Sequence, residues 1–151
     1  MSAGPRHVEV IYCDDIRQEV GNKMSYMGIY GSDMHVSVAP VLLPKLCVAV
    51  KVITNVDDPI EALEIRISSA KGSEETEILA TDPAPVVMPK AEADSRFYSA
   101  QFSFVLSPFQ IDEDVDLRVT AKTEREEIQG AGLRVRIIPT QASPATNLPL
   151  G

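Results

Sequence analysis

Tryptophan is absent from this 151-residue chain, histidine and cysteine occur twice each, and aromatic residues make up only 5%. His7, His35, Cys13 and Cys47 are too few and too scattered for a zinc site or a disulfide framework. There is no Gly-rich phosphate loop, no nucleophile-elbow pattern and no redox pair of cysteines. Cations are also short, with 14 Lys and Arg against 22 Asp and Glu, a net charge of -8 and a sequence pI near 4.7. Nucleic acids are gripped by cationic contacts that release counterions, so ordinary DNA or RNA binding is not expected. No apolar run approaches the ~20 residues of a membrane helix, and no apolar leader segment follows Met1. A cytoplasmic protein is expected, with a virion-associated one as the variant.

What the chain does have is alternation. Leu63, Ile65 and Ile67 interleave with Glu64, Arg66 and Ser68, the period-two pattern of a half-buried strand. Residues 7–13, 25–30, 34–38, 76–80, 115–121 and 133–137 read as further strands. Residues 46–54 are apolar on both faces, with Leu46, Val48, Val50 and Val52 on one side and Cys47, Ala49 and Ile53 on the other, which marks a central strand. Tyr98, Ala100, Phe102, Phe104 and Leu106 share a face of the next strong strand and are expected to supply most of the aromatic core. Phe109 and Ile111 are expected to plug one end of it.

Turns fall at Asn55-Val56-Asp57-Asp58-Pro59 and at Lys71-Gly72-Ser73, each rich in turn-forming residues. Residues 81–95 carry three Pro and no period and read as a long loop, whose Val86, Val87 and Met88 should dock on the body of the protein. The fold class is therefore all-β: an antiparallel β-sandwich of about eight or nine strands, immunoglobulin-like or of related Greek-key topology, with a small barrel as the alternative. The expected boundaries are a flexible terminus at 1–6, one domain at 7–139 and a flexible Pro-containing tail at 140–151.

The densest set of unusual residues lies at 12–33, YCDDIRQEVGNKMSYMGIYGSD. It reads as strand, polar corner, strand, with room for one helical turn at 15–20 and a turn at Gly31-Ser32-Asp33. Asp14, Asp15, Arg17, Glu19 and Lys23 are expected either to neutralise one another as a local ion-pair network or, with Tyr30 and Asp33, to form an interaction surface at one end of the fold. Tyr12, Cys13, Asp14, Asp15, Ile16 and Arg17, followed by Glu19, Val20, Gly21 and Lys23, then Gly28, Tyr30, Gly31 and Asp33, resemble the opening signature of a family of small uncharacterised proteins of bacteria and their phages. Leu43 to Cys47 fits it too. The resemblance covers about the first third of the chain and implies a family with no assigned activity.

Three constellations remain. Asp112, Asp114 and Asp116 alternate at a strand entry and are weak candidates for a calcium site, although the Gly and bidentate Glu of a dedicated loop are missing. Ser32, Asp33 and His35 bring triad residue types together, but strand geometry sends Ser32 to the opposite face. Tyr26 and Tyr30 share a strand face. Cys13 and Cys47 are adjacent only if their strands are. No catalytic residue, cofactor or metal is assigned, and the protein is read as a non-enzymatic interaction or structural accessory module whose partner is another protein or a second copy. A calcium-dependent ligand-binding sandwich and an acidic inhibitor imitating nucleic acid are the alternatives.

Overall fold

A computed structural model describes residues 5–86, 90 and 92–139. The strands are β1 (His7–Glu19), β2 (Lys23–Ile29), β3 (Asp33–Val36), β4 (Val41–Leu43), β5 (Leu46–Asn55), β6 (Ala62–Lys71), β7 (Glu74–Ala80), β8 (Ala84–Pro85), β9 (Phe97–Leu106), β10 (Phe109–Ile111), β11 (Val115–Thr123), β12 (Glu127–Gln129) and β13 (Leu133–Ile137). No helix among the described residues is long and apolar enough to cross a membrane. The all-β expectation holds, and the additional strands are short pieces in stretches whose sequence has no usable period.

The first sheet has the order β2-β1-β5-β9. The second has the order β3-β13-β11-β6-β7, with β12 beside β11 and β8 beside β6. β4 and β10 form a separate pair. The second sheet is mixed, because β3 runs parallel to β13, so the expectation of a wholly antiparallel fold is corrected at that edge.

Alternation explains which side chains meet. Val48, Val50 and Val52 of β5 are essentially inaccessible, as are Ile65 and Ile67 of β6, Leu117 and Val119 of β11, and Leu133 and Val135 of β13. These residues of both sheets belong to one buried cluster, to which Phe109 and Ile111 of β10 also belong, as expected. Each fully buried Val, Leu or Ile contributes about 1.5–3 kcal/mol relative to leaving it exposed. β5 lies between β1 and β9, and both of its faces are covered along Leu46 to Val50: Val48 and Val50 enter the core, and Cys47 (1%) and Ala49 (7%) are buried on the opposite side.

The aromatic expectation needs correction. β9 lies at the edge of its sheet, so Tyr98, Phe102 and Phe104 are only partly buried, while the fully enclosed aromatic is Tyr12 of β1. The Tyr12 hydroxyl donates to the Ala131 carbonyl at 2.8 Å, and burial pushes its pKa up. Here the segment after β12 passes close to β1: a Cβ at Gly130 would lie 2.6 Å from Val10 Cγ2. In the stretch after β7, β8 pairs with Ala62 and Leu63, and Val86 packs against the core. Val87, Met88 and the tail 140–151 lie outside the described residues.

Arg6, placed by sequence in the loose terminus, is buried at 5% exposure. Its guanidinium reaches Glu124 at 2.9 Å, Asp58 at 3.2 Å and the Pro59 carbonyl at 3.0 Å. Arg125 grips both Asp58 oxygens, at 2.8 and 2.5 Å. One cation thus ties the start of the chain to the turns after β5 and β11.

Candidate functional site

The signature stretch folds as a two-stranded ribbon, not as a polar corner. β1 continues unbroken through Cys13-Asp14-Asp15 to Glu19, and β2 returns along it. The helical turn at 15–20 is absent because Ile16 pairs with Tyr26 and Arg17 with Ser25 in the ladder, which satisfies those backbone groups in extended form. The first half of β1 pairs with β5, and beyond Cys13 its strand partner among the described residues is β2. The tip is a three-residue turn, Val20-Gly21-Asn22. Gly21 has φ 84° and Asn22 φ 58°, left-handed values that Gly and Asn accept at low cost.

The ribbon bends where Asp14 lies across from Gly28. Gly28 has φ 67°, and a Cβ there would fall onto the Asp14 carboxylate, so a glycine is required twice over. Tyr26, five positions beyond Ile11 along the ladder, nevertheless shares with Ile11, Glu9, Ala49, Lys51, Gln101, Phe102 and Ser103 a small cavity of about 70 Å³. An unbent ribbon would hold those residues roughly 16 Å apart. The bend therefore lays Tyr26 back over the first sheet.

Asp14, Asp15 and Asp33 of the signature each meet a different partner. The Tyr30 hydroxyl donates to Asp14 Oδ1 at 2.6 Å, and burial together with that bond pushes the Tyr30 pKa up to about 12. Lys45 donates to Asp15 Oδ1 at 2.5 Å, with Arg17 Nε 3.3 Å from Oδ2. The Lys45 bond, then Arg17, hold the Asp15 carboxyl below its usual range. Glu19 and Lys23 are the last register pair before the tip. Asp33 lies in the other sheet, on β3, where Arg134 reaches its two oxygens at 2.7 and 2.9 Å. A bond from Ser32, then Arg134, lower its pKa. The expected network is therefore three separate anchors, with Arg17–Asp15 the ion pair formed inside it.

Cys13 and Cys47 are directly opposite in the β1–β5 ladder, both buried and both free. The Cys13 thiol donates to the Asp15 carbonyl at 3.4 Å and Cys47 to the Asp14 carbonyl at 3.8 Å, so the bend also covers the sulfurs. Burial, then the neighbouring Cys47, raise the Cys13 pKa.

The other constellations come apart. Asp112 accepts from Gln110 Nε2 at 2.8 Å, Asp114 from the Ile137 N–H at 2.8 Å, and Asp116 pairs with Arg136 at 2.8 Å. The three carboxylates do not converge, and no group of three or more potential metal ligands exists among the described residues. Ser32 donates to Asp33 at 2.9 Å in the turn entering β3, and His35 is exposed on that strand. A wide, open trough of about 510 Å³ on the second sheet is lined by Arg66, Ser68, Glu75, Glu77, Thr120, Glu127 and Gln129. Its charges are largely paired within the chain, with Arg66–Glu77 at 3.1 Å and Ser68 donating to Glu75 at 2.6 Å. Sequence reading missed Lys45, Arg134 and the Arg6 cluster, because each partner lies 30 or more positions away from the carboxylate it meets.

A search of curated proteins finds no match. A family model described as a family of unknown function, DUF6941, matches residues 9–136, which include the ribbon, both cysteines and both sheets, and the chain belongs to that family.

Proposed function

We propose that this protein is a non-enzymatic interaction or structural accessory module of bacterial or phage origin, cytoplasmic or carried with a virion. In this reading it is an immunoglobulin-like β-sandwich, supported by the single cluster that alternate residues of both sheets enter. It binds another protein through the β1–β2 ribbon. The observation that carries the reading is the tip: Val20 is 93% exposed, and Ile29 (59%) and Met27 (43%) on β2 are also open, on a ribbon whose base is anchored by Asp14–Tyr30 and Asp15–Lys45. Exposed apolar side chains on a rigidly based projection suit a protein partner better than a small molecule.

The test separates anchor from contact. Asp14 and Asp15 hold the ribbon, so substituting them perturbs its shape; Val20, Met27 and Arg17 can be changed at little cost to the fold. The tagged protein and its Val20→Glu, Met27→Glu variant are used to capture partners from native extract, with folding of both followed by circular dichroism. One specific partner retained by the parent and lost by the folded variant is expected. A partner held equally by both would place the contact elsewhere and end the ribbon reading.

A further inference from the structure

A chain in which 24% of residues are charged contains one ten-residue strand, β9, with none: Phe97-Tyr98-Ser99-Ala100-Gln101-Phe102-Ser103-Phe104-Val105-Leu106. It is also a sheet edge. Among the described residues β9 pairs with β5 alone, through ten consecutive register pairs without a bulge. Exposed edges invite pairing with another chain, and proteins usually blunt them with charge, irregularity or shortness. The strands at the other three ends of the two main sheets follow that rule. β7 carries Glu74, Glu75 and Glu77 and sits beside a register shift; β3 has four residues and begins with Asp33; β2 is kinked at Gly28 and starts with Lys23. β9 has no such device, and Phe97 (61%) and Val105 (55%) stand exposed on it.

The phase of its backbone is readable. The Val56 N–H donates to the Arg96 carbonyl at 3.0 Å, which extends the Asn55–Phe97 register by one pair. Even-numbered residues of β9 thus turn their N–H and C=O groups to β5, and odd-numbered residues turn theirs to the free edge. Centred on Gln101, the strand is close to a palindrome. An antiparallel second copy in that register sets Gln101 against Gln101, Ser99 against Ser103 and Phe97 against Val105, all odd-numbered residues with outward backbone groups, giving about ten new backbone hydrogen bonds. On the core side the same register sets Ala100 against Phe102, small against large, and Tyr98 against Phe104. These aromatics are the ones left half-covered in the single chain, with Phe102 and Phe104 stacked at 6.4 Å.

We propose that β9 is a homodimer interface, formed by antiparallel edge pairing of two copies about a twofold axis at Gln101 and joining their four-stranded sheets into one of eight strands. A twofold contact of this kind uses the same edge on both copies and closes, so it stops at a dimer. β9 lies at the opposite end of the sheet from the β1–β2 ribbon, so the pairing does not depend on the ribbon's role.

The experiment is sedimentation of the full chain from about 1 to about 100 µM, a range that spans ordinary dimer affinities, with two double variants. Ser99→Lys with Ser103→Lys puts like charges opposite each other across the proposed axis, whereas Ser99→Lys with Ser103→Glu puts opposite charges there. Within one chain the two positions are about 13 Å apart, so both variants perturb the fold alike. The parent should dimerise; the Lys/Lys variant should weaken the dimer about tenfold and the Lys/Glu variant should keep or tighten it. Hydrogen exchange adds a residue-level readout: the amides of Ser99, Gln101 and Ser103 should be protected in the parent and released in the folded Lys/Lys variant. A parent that stays monomeric throughout, a dimer indifferent to both variants, or open-ended polymers in place of a dimer would each overturn the proposal.

Discussion

Replacing Gly28 by Ala tests the bend on which the ribbon depends. Two costs arise, and the structure separates them. The left-handed φ of 67° costs an Ala about 1–2 kcal/mol. The new Cβ also falls onto the Asp14 carboxylate, which must swing away and give up the 2.6 Å bond from Tyr30. That bond is charge-assisted but partly open to water, so its loss costs about 1 kcal/mol, the value of an ordinary hydrogen bond. Gly28→Ala should therefore destabilise the fold by about 2–3 kcal/mol, and Asp14→Ala alone by about 1 kcal/mol. The double variant should cost no more than Gly28→Ala by itself, because the second cost is already included: a coupling of about 1 kcal/mol. Urea unfolding of the four proteins, with unchanged slopes, measures it. Strictly additive effects would show that Gly28 and Asp14 do not share the contact described, and a neutral Gly28→Ala would remove the bend.

Other outcomes follow from the same geometry. Arg6→Ala removes the cation between Glu124 and Asp58 and should destabilise by about 2 kcal/mol or more by urea unfolding, at the low end for breaking a buried pair because both carboxylates reach some water. Arg6 holds the Glu124 carboxyl below its ordinary range, and Arg125 does the same for Asp58, so the stability they contribute is present above that range and fades as pH falls from about 5 to 3; melting temperature against pH should be flatter there in Arg6→Ala. The Tyr30 phenol should ionise near pH 12, and Asp14→Asn should move it back toward the ordinary tyrosine value, read by ultraviolet titration. Because the raised value belongs to the folded state, its stabilising effect is full below about pH 10 and is lost as pH climbs through the folded value. Cys13 and Cys47 should resist iodoacetamide in the native protein and react fully once it is unfolded, measured by intact mass; rapid native labelling of both would contradict their burial.

Period, and with it the all-β class, is legible in the order of residues. Alternation at 63–68 and 115–121, and the doubly apolar run at 46–54, identify strands and their inward faces, because a side chain two positions on returns to the same side whatever the tertiary fold. The doubly apolar run also foretold that β5 is interior, and the tertiary structure adds that its second face carries Cys47 beneath the ribbon's bend. Whatever depends on which strand stands beside which is set by long-range pairing. Residues 15–20 look like a corner because a paired ribbon has no local signal stronger than its long-range partners at 23–27. Phe102 and Phe104 have the pattern of core residues and lie at an edge, since alternation reports the face of a strand but not its place in the sheet. Asp15 finds Lys45, Asp33 finds Arg134 and Arg6 finds Glu124 for the same reason: ion pairs form between neighbours in space, and it took the pairing of β1 with β5, the pairing of β3 with β13 and the packing of the chain start against the turn after β11 to make these residues neighbours.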